Sequence, residues 1–449
     1  MTIQVVSPNS MYRTEEGLGI WEHRGKVAAV GIGHSPTLRR WDGKADTSVG
    51  AWSILALRKA IEDSGIAPEE IDGLVLTPDV TTGARWPVGE PAPPAVVTAF
   101  EQTDDPFDGI TKLSPEWILK NMPELSNVTF VMTPGICMCM ALTAAIQAVG
   151  DGLTKNCLVL RGWLNLEGRY YAGGPNGEPV VAGPGRFGSS QAGPASFDTA
   201  QQFQRYLYKY GKTHEMMAPF VVNEKRNGLL FPEGYWAQHR AGEVTEEDYN
   251  TSRWVSEPAN LMDNDLPIHT AAAYLITTAE RAKDMKQKPA YVLGHAGAGV
   301  QKGDTYSRVR ARGVIENLEE IEDNAAATGR KIFEAAGITA KDLAFENMYD
   351  GFTLFHVFHI EGIGYAGIKR GEALDLFQTD ISIHGPNPVS PSGGNAGSGR
   401  TRFWMHTDSI QQIQGRAGAR QIKNPATVGI SGGFIPAWSN FIVWSATPD

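Results

Sequence analysis

Along the chain, short apolar runs alternate with longer stretches whose apolar residues recur at helical spacing. Residues 27–76 open on KVAAVGIGHS, pass through a loop and continue as SILALRKAIEDSGIAPEEIDGLVL. Residues 288–348 open on KPAYVLGHAG and, after a longer loop, continue as AAATGRKIFEAAGITAKDLAFENM. Each copy predicts a strand ending in glycine, an amphipathic helix stopped by a C-cap glycine, and a second apolar strand. Leu55, Leu57, Ala60 and Ile61 mark the helix of the first copy, and Ile332, Phe333, Ala336 and Ile338 that of the second. The same order met twice argues for an α/β architecture made by duplication.

The remaining segments fit between these copies. Residues 136–149 (ICMCMALTAAIQAV) predict a buried helix, apolar nearly all round, with Cys137 and Cys139 inside it. The strand CLVLRGW follows at 157–163, and residues 164–200, rich in Gly, Pro and Ser, read as an irregular loop. Residues 201–260 read as helical, with a capping pattern from Thr245 to Asp248. TAAAYLITTAERAKDM (270–285) predicts a strand leading into a short helix. The chain closes with a glycine-rich turn at 390–399, a helix near 401–415 and a strand pair, ATVGISGGF and NFIVWSA.

Composition narrows the function. The 449 residues are 42% hydrophobic and 20% charged, a globular mix of about two domains' length. The net charge of -10 and the scattering of the 40 basic residues leave no basic footprint for nucleic acid. No window approaches the roughly 18 apolar residues of a membrane span, and the N-terminal stretch lacks the marks of a signal peptide. A cytoplasmic protein is expected. Three cysteines (Cys137, Cys139, Cys157) make no disulfide framework and no zinc-spaced cluster, so neither metal nor cofactor is expected in this chain.

The segment order resembles the thiolase superfamily, in its sterol-carrier-protein thiolase branch. The stretch from FQRYLYKYG through VVNEKRN and TEEDYNTSRW to LMDND (203–265) is similar to that branch's loop domain, and AAAYLITTAERA follows where the branch has an AAA-containing strand. The resemblance covers roughly residues 27–445. It implies a thiolase fold, two βαβ-rich halves packed in five layers, αβαβα. The first half (1–265) would carry an inserted loop domain at about 164–262, and the second half would span 266–449.

The catalytic positions of that superfamily are altered. Its nucleophilic cysteine falls on Gly135 by counting back along the helix. Its Asn/His-containing element reads Tyr349-Asp350-Gly351-Phe352, its histidine after the PSGG turn is Arg400, and its last cysteine element reads Gly429-Ile430-Ser431-Gly432-Gly433. Claisen-type thiolysis needs a thiolate with an acid/base pair, and these groups are missing together.

The pattern is similar to the steroid side-chain aldolases, which implies an acyl-CoA retro-aldolase. Such an enzyme cleaves a β-hydroxyacyl-CoA into a ketone or aldehyde and a shorter acyl-CoA without a covalent intermediate. Coenzyme A would enter as part of the substrate. Retro-aldol cleavage needs proton transfer and donors for the thioester enolate. Tyr349 is the first candidate for proton transfer, and Tyr306 and His295 are candidates for the second such group. Asp350, pointing away from Tyr349, would orient a neighbour or make a structural hydrogen bond. His269 reads as a buried, hydrogen-bonded histidine. Arg400 would pair with an anionic group, lower a tyrosine pKa or cap a loop carboxylate. Backbone N–H groups near Gly135 and at Gly432 and Gly433 are candidates for holding the enolate oxygen.

Two other functions stay open. One is a thiolase or acyltransferase using Cys137 or Cys139 as a displaced nucleophile, although both read first as packing residues. The other is a non-catalytic acyl-CoA-binding subunit of a larger complex. The resemblance further implies a homodimer formed near residues 126–163, and a small OB-fold and zinc-ribbon partner that supplies part of the CoA site. Any zinc would belong to that partner.

Overall fold

A computed structural model describes residues 11–77, 109, 113–134, 137–163, 197–240, 242–298, 317–434 and 439–449. The strands are β1 (Val27–His34), β2 (Gly73–Thr77), β3 (Phe130–Met132), β4 (Asn156–Trp163), β5 (Trp254–Ser256), β6 (Ala259–Asn260), β7 (Thr270–Thr278), β8 (Ala290–Gly297), β9 (Phe345–Met348), β10 (Val428–Gly432) and β11 (Asn440–Ser445). The principal helices are α1 (Val49–Ser64), α2 (Pro115–Asn121), α3 (Met138–Gly150), α4 (Phe197–Tyr210), α5 (Ala218–Leu229), α6 (Leu318–Ala336), α7 (Thr353–Ile363), α8 (Gly394–Ser398) and α9 (Trp404–Gln414).

The repeat foreseen in the sequence is built twice. β1–α1–β2 and β8–α6–β9 occupy matching places, and both helices end on a left-handed glycine, Gly65 at φ 74° and Gly337 at φ 63°. The pairing matches as well. β1 lies antiparallel to β7 as β8 does to β11, β7 to β4 as β11 to β10, and β4 lies parallel to β2 as β10 does to β9. The two halves meet edge to edge where Ala28 faces Tyr291 and Ala29 faces Ala290. The strands therefore run β3-β2-β4-β7-β1-β8-β11-β10-β9.

Residue alternation shows the layers. Ala28, Val30, Leu74, Leu158, Leu160 and Leu275 point to an outer core with α1. Their neighbours Val27, Ala29, Val75, Val159, Tyr274 and Ile276 point to a middle core holding α3 and α9. In the second half Val292, Ile442 and Trp444 join the middle core, while Leu293, Phe441 and Val443 face α6 and α7 on the other outer side. Period-2 strands buried on both faces thus produce five layers, αβαβα.

The segment between β4 and β7 resolves into α4, α5, two short helices and the β5–β6 hairpin rather than one helical run. Thr245 and Asp248 form the foreseen capping box, with reciprocal bonds of 3.2 and 2.8 Å. Although inserted in the first half, this segment packs on the second: Phe203, Tyr206, Phe220 and Val221 share a core with Val357 and Ile360 of α7. Among the described residues, no helix is long and apolar enough to cross a membrane.

Candidate active site

The carboxyl ends of β4, β9 and β10 converge at one end of the middle layer, the place where α/β sheets bind ligands. Tyr349 starts the turn from β9 into α7, and its N–H donates to the Gly432 carbonyl at 2.9 Å, which ties it to the end of β10. Its ring stacks on Phe355 and meets Phe434 edge-on. The phenol folds back over Gly351, where any Cβ would overlap the hydroxyl. Burial pushes the phenol up to about 12, against the lowering charges of Arg402 and Arg400 and with Asp265 raising it further.

Three buried guanidinium groups surround Trp163 at the end of β4. Arg161 lies 4.4 Å from its ring centroid, and Arg400 and Arg402 lie 5.2 Å away. Arg402 also covers the Phe434 ring at 4.1 Å. Arg400 sits 3.6 Å from the Asp265 carboxylate and donates its backbone N–H to Leu266 at 2.7 Å. Arginine on an aromatic face keeps its charge while losing water, so a buried cationic wall results.

Cys137 is not inside the helix as foreseen but is the N-cap of α3, in extended backbone. Its Sγ lies 2.8 Å from that of Cys139, whose thiol donates to the Gly433 carbonyl at 3.5 Å. Burial raises the Cys137 thiol, yet the Cys139 thiol, the Met140 amide and the charges of Arg402 and Arg161 bring it below its ordinary value. Cys139 moves the other way, through burial and its negatively charged neighbour.

The other foreseen residues divide. Asp350 points away from the Tyr349 phenol, as expected, but it is an anchor rather than a proton carrier. Its carboxylate accepts from Asn395 N and Nδ2 at 2.8 Å each and from Ala396 N at 2.7 Å. Glu224 shares this nest, and burial and the Asp350 charge raise its carboxyl well above the usual range.

His295 is a correction. Its Nε2 meets Gln147 Oε1 at 2.9 Å and its ring lies edge-on to Trp21. Gln147 lies ten residues along α3 from Cys137, about 15 Å at helical rise, so His295 is held by the C-terminal part of α3 and not by its Cys137 end. Burial holds its pKa down at about 3.

The glycine turn also differs from the expectation. The Gly433 N–H is already given to the Asn440 carbonyl at 2.9 Å and so is engaged in the turn rather than offered to an enolate, while the Gly432 carbonyl accepts from the Tyr349 N–H. Gly135 and Tyr306 lie outside the described residues. His269 is the buried structural histidine expected, bonded to the Thr47 carbonyl at 2.7 Å.

Residues 311–442 match the Thiolase C-terminal domain-like family. The "Ltp2-ChsH2(DUF35) aldolase" structure superposes with a TM-score of 0.71 at 20% identity, covering 94% of this chain and 98% of that one. This chain has a thiolase fold. Among curated relatives, the steroid side-chain-cleaving aldolase of Thermomonospora curvata is 24% identical, over 83% of this chain and 86% of that protein. The 17-hydroxy-3-oxo-4-pregnene-20-carboxyl-CoA lyase of Mycobacterium tuberculosis is 24% identical as well, over 87% and 92%.

Within this thiolase fold, sequence reasoning missed Arg402, Arg161, Trp163 and Phe434. A signal was present: Arg400 and Arg402, two apart, follow the glycine-rich turn, and Arg161 and Trp163, also two apart, lie on one face of β4. The one described cluster with metal-ligand spacing, Glu22, His23 and Asp151, lies at the C-terminal end of α3, opposite Cys137. It plays no part in the site.

Proposed function

We propose that this protein is an acyl-CoA retro-aldolase, a carbon–carbon lyase that converts a β-hydroxyacyl-CoA into a ketone or aldehyde and a shorter acyl-CoA. The observation that carries this reading is the buried Tyr349 phenol, packed against the Phe434 ring that Arg402 covers, where the ends of β9 and β10 meet. A base takes the proton of the β-hydroxyl, the Cα–Cβ bond breaks, and its electron pair moves to Cα and the thioester oxygen as an enolate. The β-carbon becomes a carbonyl. Tyr349, neutral at physiological pH, gives its proton to Cα, and the proton taken from the hydroxyl returns to its oxygen. No covalent bond to the protein is required, and coenzyme A takes part only as a portion of the substrate. Both steroid-cleaving relatives, which align over more than four-fifths of the chain, support the same reading.

The reading includes partners. The aldolase with the similar structure is paired in its name with a DUF35 protein, and we infer a small partner of that kind here. We also infer a homodimer through the edge strand β3, which ends the sheet and leaves Val131 43% exposed, and a cytoplasmic location.

Mass spectrometry after incubating a β-hydroxyacyl-CoA with the chain, alone and with a DUF35-type partner, should show a carbonyl product and a shortened acyl-CoA in equal amounts. Intact substrate under both conditions would sink the proposal.

The position of Cys137 favours a second reading, acyl transfer through its thiol, because the Cys139 thiol, a backbone amide at the helix N-terminus and two arginines lower its pKa. The aldolase reading expects Cys137→Ser to keep cleavage within about tenfold of the parent, the loss being confined to packing. An acyl adduct on Cys137, found after treatment with acyl-CoA, would transfer the assignment to acyl transfer.

A further inference from the structure

Arg402 stands in the left-handed region at φ 65°, a conformation that non-glycine residues rarely adopt and that clusters at functional sites. The surroundings hold it there. Asn395 Oδ1 accepts the N–H groups of both Thr401 and Arg402 at 2.9 Å. Asn395 Nδ2 in turn donates to Asp350 Oδ1 at 2.8 Å, and Asp350 is the chain neighbour of Tyr349. A circuit results: Tyr349 to Asp350 by covalent bonds, Asp350 to Asn395 and Asn395 to the Arg402 backbone by hydrogen bonds, and the Arg402 guanidinium over the Phe434 ring that the Tyr349 ring meets edge-on. The aromatic faces of Phe434 and Trp163 fix that guanidinium laterally.

We propose that Arg402 is the positioning residue of this site, aiming the Tyr349 phenol at the substrate's α-carbon and stabilising the phenolate left when the proton has gone. This rests on the aldolase reading. The O–H bond of Tyr349 breaks, a C–H bond forms at Cα, and the oxygen carries one negative charge until the β-hydroxyl proton reaches it. Arg400 from the same loop and Asp265 before β7 also face the phenol. His359 of α7 and Cys139 reach it only across Gly433. Asp265 opposes a phenolate, His359 is held neutral at about 3 by burial, and of the two arginines Arg402 acts on the phenol more strongly.

Arg402→Gly separates this role from folding, because glycine accepts the φ that arginine does not. The full chain with its partner, given a β-hydroxyacyl-CoA for cleavage and propionyl-CoA in D2O for Cα–H exchange, supplies the readouts. Arg402→Gly should unfold at the parent temperature or above, lose about 100-fold in kcat for both reactions, and keep KM within about twofold. Guanidinium ion should restore part of the rate, and Arg402→Lys should fall between the two. A folded Arg402→Gly protein with parent kcat, with the loss confined to KM, or with no response to guanidinium overturns the proposal. A parent protein inert in both reactions removes the aldolase reading itself. An active parent with an unaffected Arg402→Gly variant removes only the assignment of Arg402.

Discussion

Tyr349→Phe is expected to slow cleavage of a β-hydroxyacyl-CoA by about 10³-fold, in the range for loss of a proton-transfer group. The fold should remain intact, because the phenyl ring keeps its contacts with Phe355 and Phe434 and only the hydroxyl above Gly351 is lost. KM should move little, since a proton given during bond cleavage acts on the transition state rather than on binding. The pH profile adds a sign. With the phenol at about 12, the donor is protonated at every lower pH, so Tyr349 should cause no loss of rate from about pH 6 to 9. Any alkaline decline in that window belongs to another group and should persist in the phenylalanine variant's residual rate. A Tyr349→Phe enzyme as fast as the parent in steady-state assays would remove the residue from the mechanism.

Asp350→Ala should be the costliest single change for stability, about 3–5 kcal/mol by urea denaturation. It leaves three buried donors from Asn395 and Ala396 without their acceptor, and it frees the turn that carries Tyr349. Glu224→Gln supplies the contrast. Burial and the Asp350 charge disfavour the charged form of Glu224, and a neutral amide still accepts from Ser390, so the change should cost less than about 1.5 kcal/mol. Equal losses for the two variants would count against Asp350 as the anchor of this turn.

Much of the architecture was legible in sequence because it rests on periodicity and on caps. The strand–helix–strand repeat, the capping glycines Gly65 and Gly337, and the capping box at Thr245 all depend on residues within a few positions of one another. Tyr349 stands out through its place in an element that resembles a catalytic one, and the outward turn of Asp350 follows because successive residues leaving a strand diverge. His295 was misplaced because it shares a strand with the site's neighbours but points along the middle layer to Gln147 and Trp21. In sequence Cys137 reads as helical interior because the first turn of α3 has no polar cap to mark where it starts. The arginine wall escaped notice because it joins β4 to the loop after α8, some 240 residues apart in the chain, and no local pattern announces a contact at that range.

The segment inserted between β4 and β7 rests on helices that come much later in the chain. During synthesis, α4 and α5 must wait with an apolar face uncovered until α7 and the turn at α8 have left the ribosome, and β7 reaches β4 only after the whole insertion has passed. The first half cannot therefore be finished before the second. A protein truncated after β7 should be recovered bound to chaperones or as aggregate, whatever the autonomy its repeated architecture suggests.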